Sequence, residues 1–237
     1  MKRRLFLLYG ALSASPAAAQ SISMSLGEGS LSGRAIQLVL LLTVLSLAPG
    51  ILMTITSFTR FVVVLSLLRN GLGTQGTPPN AVLISLALFL SFFVMAPTFN
   101  QAWTNGIEPL SRGAITETVA LDRAAQPFKT FMLRHTREAD LALFADLAKQ
   151  RAASRDELAM TTVAPAFLIS ELRRAFEIGF MLLLPFVLID LVVGAILMSM
   201  GMMMMPPVSV SLPVKLIFFV LVDGWNLVAG SLVKSFF

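Results

Sequence analysis

Residues 179–207 read GFMLLLPFVLIDLVVGAILMSMGMMMMPP. From Gly179 to Met200 the run is apolar with one acid, Asp190, and it is long enough to cross a bilayer as a helix, which takes about 20 such residues. Gly201 to Pro207 then interrupts it with Gly, Pro and four consecutive methionines. Those four cannot share one helical face, because successive side chains on a helix are rotated by about 100°. In a turn they can converge as a soft, adaptable apolar surface. A further apolar run, Val214 to Val233, follows and carries Asp223, with Lys215 and Lys234 near its ends. Two apolar helices about a methionine-rich turn, residues 176–237, are therefore expected to form a hairpin.

The same reading extends towards the N-terminus. Ala35 to Leu68 is apolar apart from Thr, Ser and Arg60, and it predicts a break or kink at Pro49-Gly50. Arg69 to Pro79 is a short polar turn and Ala81 to Ala96 is again apolar, with Trp103 placed as an interfacial anchor. Residues 35–104 thus read as a first apolar hairpin. The start, MKRRLFLLYGALSASPAAAQ, has a basic n-region, a short apolar run and small residues at Ala17 and Ala19. This predicts a signal peptide over 1–19, with an uncleaved anchor as the alternative, and a flexible Ser/Gly-rich segment over 20–34.

Between the two hairpins, residues 105–175 change character. Leu141, Phe144, Ala145 and Ala148 recur at helical spacing, and Glu138, Asp140, Asp146 and Lys149 serve other faces. A small water-facing helical insert is expected, with His135, among Arg134, Thr136 and Arg137, as a solvated surface residue. The fold class is then an all-α membrane protein: two apolar helical hairpins flanking a helical insert. Following a cleaved signal peptide, the insert and C-terminus face the periplasm, and the Arg69 and methionine turns face the cytoplasm.

Composition agrees. Only 13% of the 237 residues are charged and 56% are hydrophobic, against about 25% charged in soluble domains. The net charge of +5 does not indicate nucleic acid. Between Gln101 and Glu177 ten basic residues face ten acidic ones, so the excess lies at termini and beside apolar runs, as for membrane anchors. Membrane lipid is the expected surrounding. There is no cysteine, no phosphate-binding glycine loop and no His-containing metal spacing, so no cofactor is expected.

Charges within the apolar runs demand partners, since each costs about 2.5–3.5 kcal/mol on insertion scales. Arg60 is expected to pair with Asp190 or Asp223, within or between subunits. In SELRRAFEIGF, Arg173 and Glu177 are spaced i, i+4 and Glu171 and Arg174 i, i+3, suited to pairing along one helix or with neighbouring subunits. A rival reading makes Asp190 and Asp223 the working acids of a small ion or proton-coupled transporter. A Cu(I) carrier built on the methionines is disfavoured by four adjacent Met without Cys or a nearby His.

The pieces SFTR, LLRNGLGT, PPNAVLISLALFLSFFVMAP, FLISELRRAFEIGFMLLLPFVLIDLVVG, GMMMMPP and LPVKLIFFVLVDGWNLV occur in this order between roughly Ala48 and Val233. Together they closely resemble the FliP family of type III secretion export-gate proteins, and the signal peptide points to the flagellar branch. The resemblance implies a non-enzymatic subunit of the bacterial inner membrane and flagellar basal body. It implies assembly of several copies, typically five, with FliQ-type and FliR-type proteins into a ring whose core is lifted to the periplasmic side. Unfolded flagellar proteins pass through that ring. Met202, Met203, Met204 and Met205 then look like the family's methionine gasket, and the intramembrane charges face protein neighbours.

Overall fold

A computed structural model describes residues 31–150, 154–202 and 204–237. The expected signal peptide, residues 20–30 and Met203 lie outside the described residues. The described residues divide into two units, 31–46 and 47–237. Of the first, the described part is helical from Leu31, so residues 31–34 continue no flexible segment. Among the described residues every regular element is a helix.

Helix α1 spans Leu31–Ile55 and exposes Leu38, Leu42, Leu45, Ile51 and Leu52. Of the break or kink expected at Pro49-Gly50, the break is absent: the helix runs through Pro49 and stops at Thr56-Ser57. Hydroxyls compete there with the backbone for hydrogen bonds. Phe58 N–H donates to Thr56 Oγ1 at 3.4 Å, and Thr59 Oγ1 donates to Met53 O at 3.2 Å. Ser57 Oγ lies 3.0 Å from Ser91 Oγ on a later helix, so the break is tied into the core.

Helix α2, Phe58–Leu72, is the central element. Phe58, Phe61, Val64, Leu65, Leu68 and Leu72 recur at helical spacing and are all buried. They meet Leu83, Ala87 and Val94 of α3 (Asn80–Ala102), Ala175 and Phe186 of α7 (Met160–Ser199), and Phe219, Val228 and Leu232 further on. The turn between α2 and α3 is stapled by Arg69, whose Nη1 donates to Asn80 Oδ1 at 2.5 Å and Pro78 O at 3.2 Å. A π-helical turn, Trp103–Ile107, carries α3 into the short α4, Glu108–Ser111.

Helices α5, Glu117–His135, and α6, Glu138–Leu147, carry a second core in which Met132, Leu133 and Leu141 pack on Leu158, Val163, Ala166 and Phe167. The last three belong to α7, which is 40 residues long and runs unbroken past position 175. Charge had suggested a boundary there. Arg173 and Glu177, however, are half exposed on the outer face of the helix and interrupt nothing. At about 1.5 Å per residue, α7 far exceeds the roughly 30 Å of a hydrocarbon core. Its first half packs on the insert, and its second half displays Phe180, Met181, Leu188 and Leu191.

The fourth apolar run is not one segment. Helices α8, Pro207–Leu221, and α9, Gly224–Lys234, meet at a 64° bend. Asp223 takes left-handed φ and ψ of 51°, a conformation that Asp tolerates better than most residues. Gly224 lets the Phe219 ring close onto the backbone, where an added Cβ would overlap it. Gly224→Ala is expected to destabilise the fold by about 1–3 kcal/mol through overpacking. The check is a lowered thermal midpoint in detergent; an unchanged midpoint would count against the tight contact. Leu38–Ile55, Asn80–Ser111 and Met160–Ser199 are long and apolar enough to cross a membrane, and the bent pair is a fourth candidate.

Candidate functional site

Charges of α2, α7 and α8 gather at two polar junctions near opposite ends of α2. In the first, Arg60 and Glu171 form a bidentate pair with almost no exposure of either side chain. Arg60 Nε donates to Glu171 Oε2 at 2.7 Å and Nη2 donates to Oε1. Arg60 Nη1 donates to Ser235 O at 3.1 Å and Ser235 Oγ at 2.8 Å. The ring of Phe236 covers the guanidinium, with Cζ 3.6 Å from its centroid. Four of the five guanidinium N–H groups thus have named partners, which is what keeps a buried cation tolerable.

The expectation that Arg60 pairs with Asp190 or Asp223 is therefore corrected. Glu171 lies on the α7 face that packs on α2, so its carboxylate turns inward to Arg60 and not along its own helix to Arg174. Arg173 and Glu177 do pair along α7, with Nε 3.1 Å from Oε1 in solvent-exposed geometry. An exposed pair at this spacing contributes only a few tenths of a kcal/mol, about 0.3–0.5.

The second junction joins α7, α8 and the end of α2. Lys215 Nζ lies 2.6 Å from Asp190 Oδ2 and donates to Gly71 O at 3.0 Å. Ser211 Oγ donates to Asp190 Oδ1 at 2.5 Å. Lys215 is buried although its sequence position marked it as a flank residue; Asp190 keeps a third of its side chain exposed. The ammonium also satisfies a carbonyl in the last turn of α2, where helix carbonyls lack partners and positive charge is favoured. Asp223 belongs to neither junction. It is exposed at the α8–α9 bend, where Asn226 Nδ2 donates to its Oδ2 at 3.1 Å.

His135 is corrected as well: it is buried, 4.6 Å from the Phe131 ring and 5.2 Å from the Phe236 ring between centroids. Burial first, then the positive charges of Arg60, Arg174 and Arg134, lower its pKa to about 4. It is neutral at pH 7. Nearby, Ser170 Oγ donates to Asp140 Oδ2 at 2.7 Å and accepts from the Arg137 N–H at 3.1 Å, docking α6 on α7.

The methionine turn follows from the end of α7. Gly201, at φ +75°, closes the helix in a Schellman motif: Met202 N–H donates to Leu197 O at 3.0 Å and Gly201 N–H to Met198 O at 3.1 Å. Met205 N–H donates to Met202 O at 3.2 Å before Pro206 and Pro207 open α8. Met202 and Met205 are partly exposed and Met204 is wholly exposed. The turn therefore presents thioethers outward, with Met198 and Met200 exposed beside them. Among the described residues no group of three or more His, Cys, Asp or Glu could hold a metal ion.

Sequence reasoning missed Ser235 and Phe236 altogether, because nothing local marks a partner 175 positions from Arg60. The role of Lys215 did leave a signal. Ser211 and Lys215 are spaced i, i+4 on one face of α8, the face that meets Asp190.

The model of the FliP family matches residues 41–232. The Flagellar biosynthetic protein FliP of Caulobacter vibrioides is 57% identical over 226 residues, covering 93% of this chain and 85% of its own length. That of Rhizobium meliloti is 52% identical over 212 residues, with 88% and 86% covered, and that of Bacillus subtilis 54% over 202, with 85% and 91% covered. On a family match over most of its length and identities above one half to such relatives, the chain belongs to the FliP family.

Proposed function

We propose that this chain is a pore-forming subunit of the flagellar type III protein export gate, through which unfolded flagellar proteins leave the cell. Membership of the FliP family makes it a flagellar biosynthesis protein of the export apparatus and not an enzyme. The gate is assembled from several copies of this chain, five in the family pattern, with FliQ-type and FliR-type proteins. It sits in the bacterial inner membrane, with the insert on the periplasmic side and the core displaced towards it. Domain use follows: hairpins at 35–104 and 176–237 build the ring, and the insert at 105–175 spaces its outer rim.

The single observation that carries this reading is the turn at Gly201–Pro207, which leaves Met202, Met204 and Met205 exposed at the surface of the chain. Repeated around an axis, and with Met203, such turns supply an apolar plug. Unbranched thioethers exclude water and ions and still reshape around diverse passing chains.

The transporter reading loses its support at Asp190 and Asp223. Asp190 is held by Lys215 and Ser211, and Asp223 sits apart at an exposed bend with Asn226, so the two acids have separate partners among the described residues.

Replacing Met202 to Met205 together by alanine is expected to raise ion conductance of membranes containing the assembled gate several-fold. Planar-bilayer recording of the purified complex reads it. Unchanged conductance with assembly intact would sink the seal.

A further inference from the structure

We propose that the Ser235–Phe236 segment is an acid-releasable clasp, closing over the Arg60–Glu171 pair only while the imidazole packed against Phe236, that of His135, is uncharged. Phe236 is 4% exposed while Phe237 beside it, whose N–H donates to Lys234 O at 3.2 Å, is 77% exposed, so the segment is buried at the Phe236 ring. That ring is gripped from several helices: Phe61 of α2 at 5.5 Å, Phe131 of α5 at 6.1 Å, His135 at 5.2 Å and the Arg60 guanidinium at 3.6 Å. The same segment gives Arg60 two of its four hydrogen bonds through Ser235. Without the segment, the buried guanidinium loses both acceptors and its aromatic cover, and water reaches the ion pair.

His135 is the titratable weak point of this arrangement. Its imidazole makes no hydrogen bond among the described residues. The charges that act on it are Arg134 of its own helix, Arg60 of α2 and Arg174 of α7, all positive. The carboxylate in the junction, Glu171, is already engaged on both oxygens by Arg60. From α3, Thr98 and Gln101 line the adjoining cavity without charge. Protonation therefore places a fourth cation against three, inside an aromatic cluster and with no protein acceptor among the described residues. Opening the clasp is the relief available.

The direction of the pH effect follows. His135 titrates at about 4 when buried and at 6.5 when solvated, so the closed form binds fewer protons. Closure is at full strength above pH 6.5 and weakens as pH falls towards 4. Within that window the closed-to-open ratio drops about tenfold per pH unit, the signature of one proton.

The chain has no cysteine and one histidine, which makes the test clean. A nitroxide label on Phe237→Cys in the full chain, held in lipid nanodiscs, reports the mobility of the segment by electron paramagnetic resonance. The expected result is an immobile spectrum at pH 7.5 and a mobile component that grows with a one-proton slope below pH 6.5. His135→Phe keeps the ring contacts and removes the proton, so its label should stay immobile to about pH 4.5. An equal response in His135→Phe overturns the proposal, as does a label that stays immobile in the parent chain down to pH 4. Should His135→Phe fail to fold, nuclear magnetic resonance of the single isotopically labelled histidine in the parent decides. A midpoint near 4 that moves up as the label becomes mobile supports the clasp; a midpoint near 6.5 with an immobile label overturns it.

Discussion

Replacing Arg60 by alanine is expected to destabilise the folded chain by about 3–5 kcal/mol, the range found when one partner of a buried ion pair is removed. Glu171 has no exposure and receives its strong donors from Arg60, so the truncation leaves a carboxylate in an apolar core with those donors gone. It also leaves Ser235 without its buried donor and Phe236 without the cation beneath its ring. Glu171→Ala should cost a similar amount by stranding the guanidinium. The informative variant is the double substitution Arg60→Met with Glu171→Leu. It removes both charges while filling the volume, so it should recover most of the loss. Thermal unfolding followed by fluorescence-detected size exclusion in detergent reads all three. If the double variant is no more stable than Arg60→Ala, the electrostatic account fails and the loss must be assigned to packing around Phe236. In the proposed gate, Arg60→Ala should cut the yield of assembled complex and leave the conductance of any ring that forms unchanged. A fully assembled ring with altered conductance would instead place Arg60 on the path.

Much of this architecture is local and so was open to reading. Apolar runs of bilayer length mark α3 and the second half of α7, and Gly201 before Pro206-Pro207 marks the turn that ends α7. Breaks were harder. Pro49 looked like the interruption, yet a single missing N–H is survivable within a helix, whereas the hydroxyls of Thr56 and Ser57 had a buried partner in Ser91 that no local pattern shows. No helix break marks position 175, because the charged residues there lie on the outer face of α7 and interrupt nothing. Asp223 was legible as an anomaly, an acid in an apolar run, but its explanation is a backbone conformation and not a charge partner.

Pairings were the least legible part of the site. A carboxylate in the right helix is a candidate for Arg60 whether it is Glu171 or Asp190, and hydropathy favoured the acids deepest in apolar sequence. Packing chose differently. The middle of α7, through Ala175, Gly179 and Phe186, packs on α2, which brings Glu171 to Arg60 and leaves Asp190 near the far end of α2, beside Gly71. Arg60 and Gly71 are 11 residues apart on one helix, about 16 Å of rise, so one acid could not serve both.

That separation gives the second junction its own expected asymmetry. Asp190→Ala should be more damaging than Lys215→Met, although Asp190 is the more exposed partner. Removing Asp190 leaves an ammonium with 4% side-chain exposure and the Gly71 carbonyl as its remaining acceptor. A stranded buried charge of this kind costs about 3 kcal/mol or more. Lys215→Met removes the buried charge itself and fills the same volume. What it strands is a carboxylate one third exposed that still accepts from Ser211 at 2.5 Å, so water and the hydroxyl share the load. Its expected cost is about 1–2 kcal/mol, from the lost hydrogen bond to Gly71 O and the unpaired Asp190. The order of the two thermal midpoints, measured side by side in the same detergent, decides the matter. If Lys215→Met proves the weaker protein, the ammonium's role is to cap α2 at Gly71, and its pairing with Asp190 is secondary.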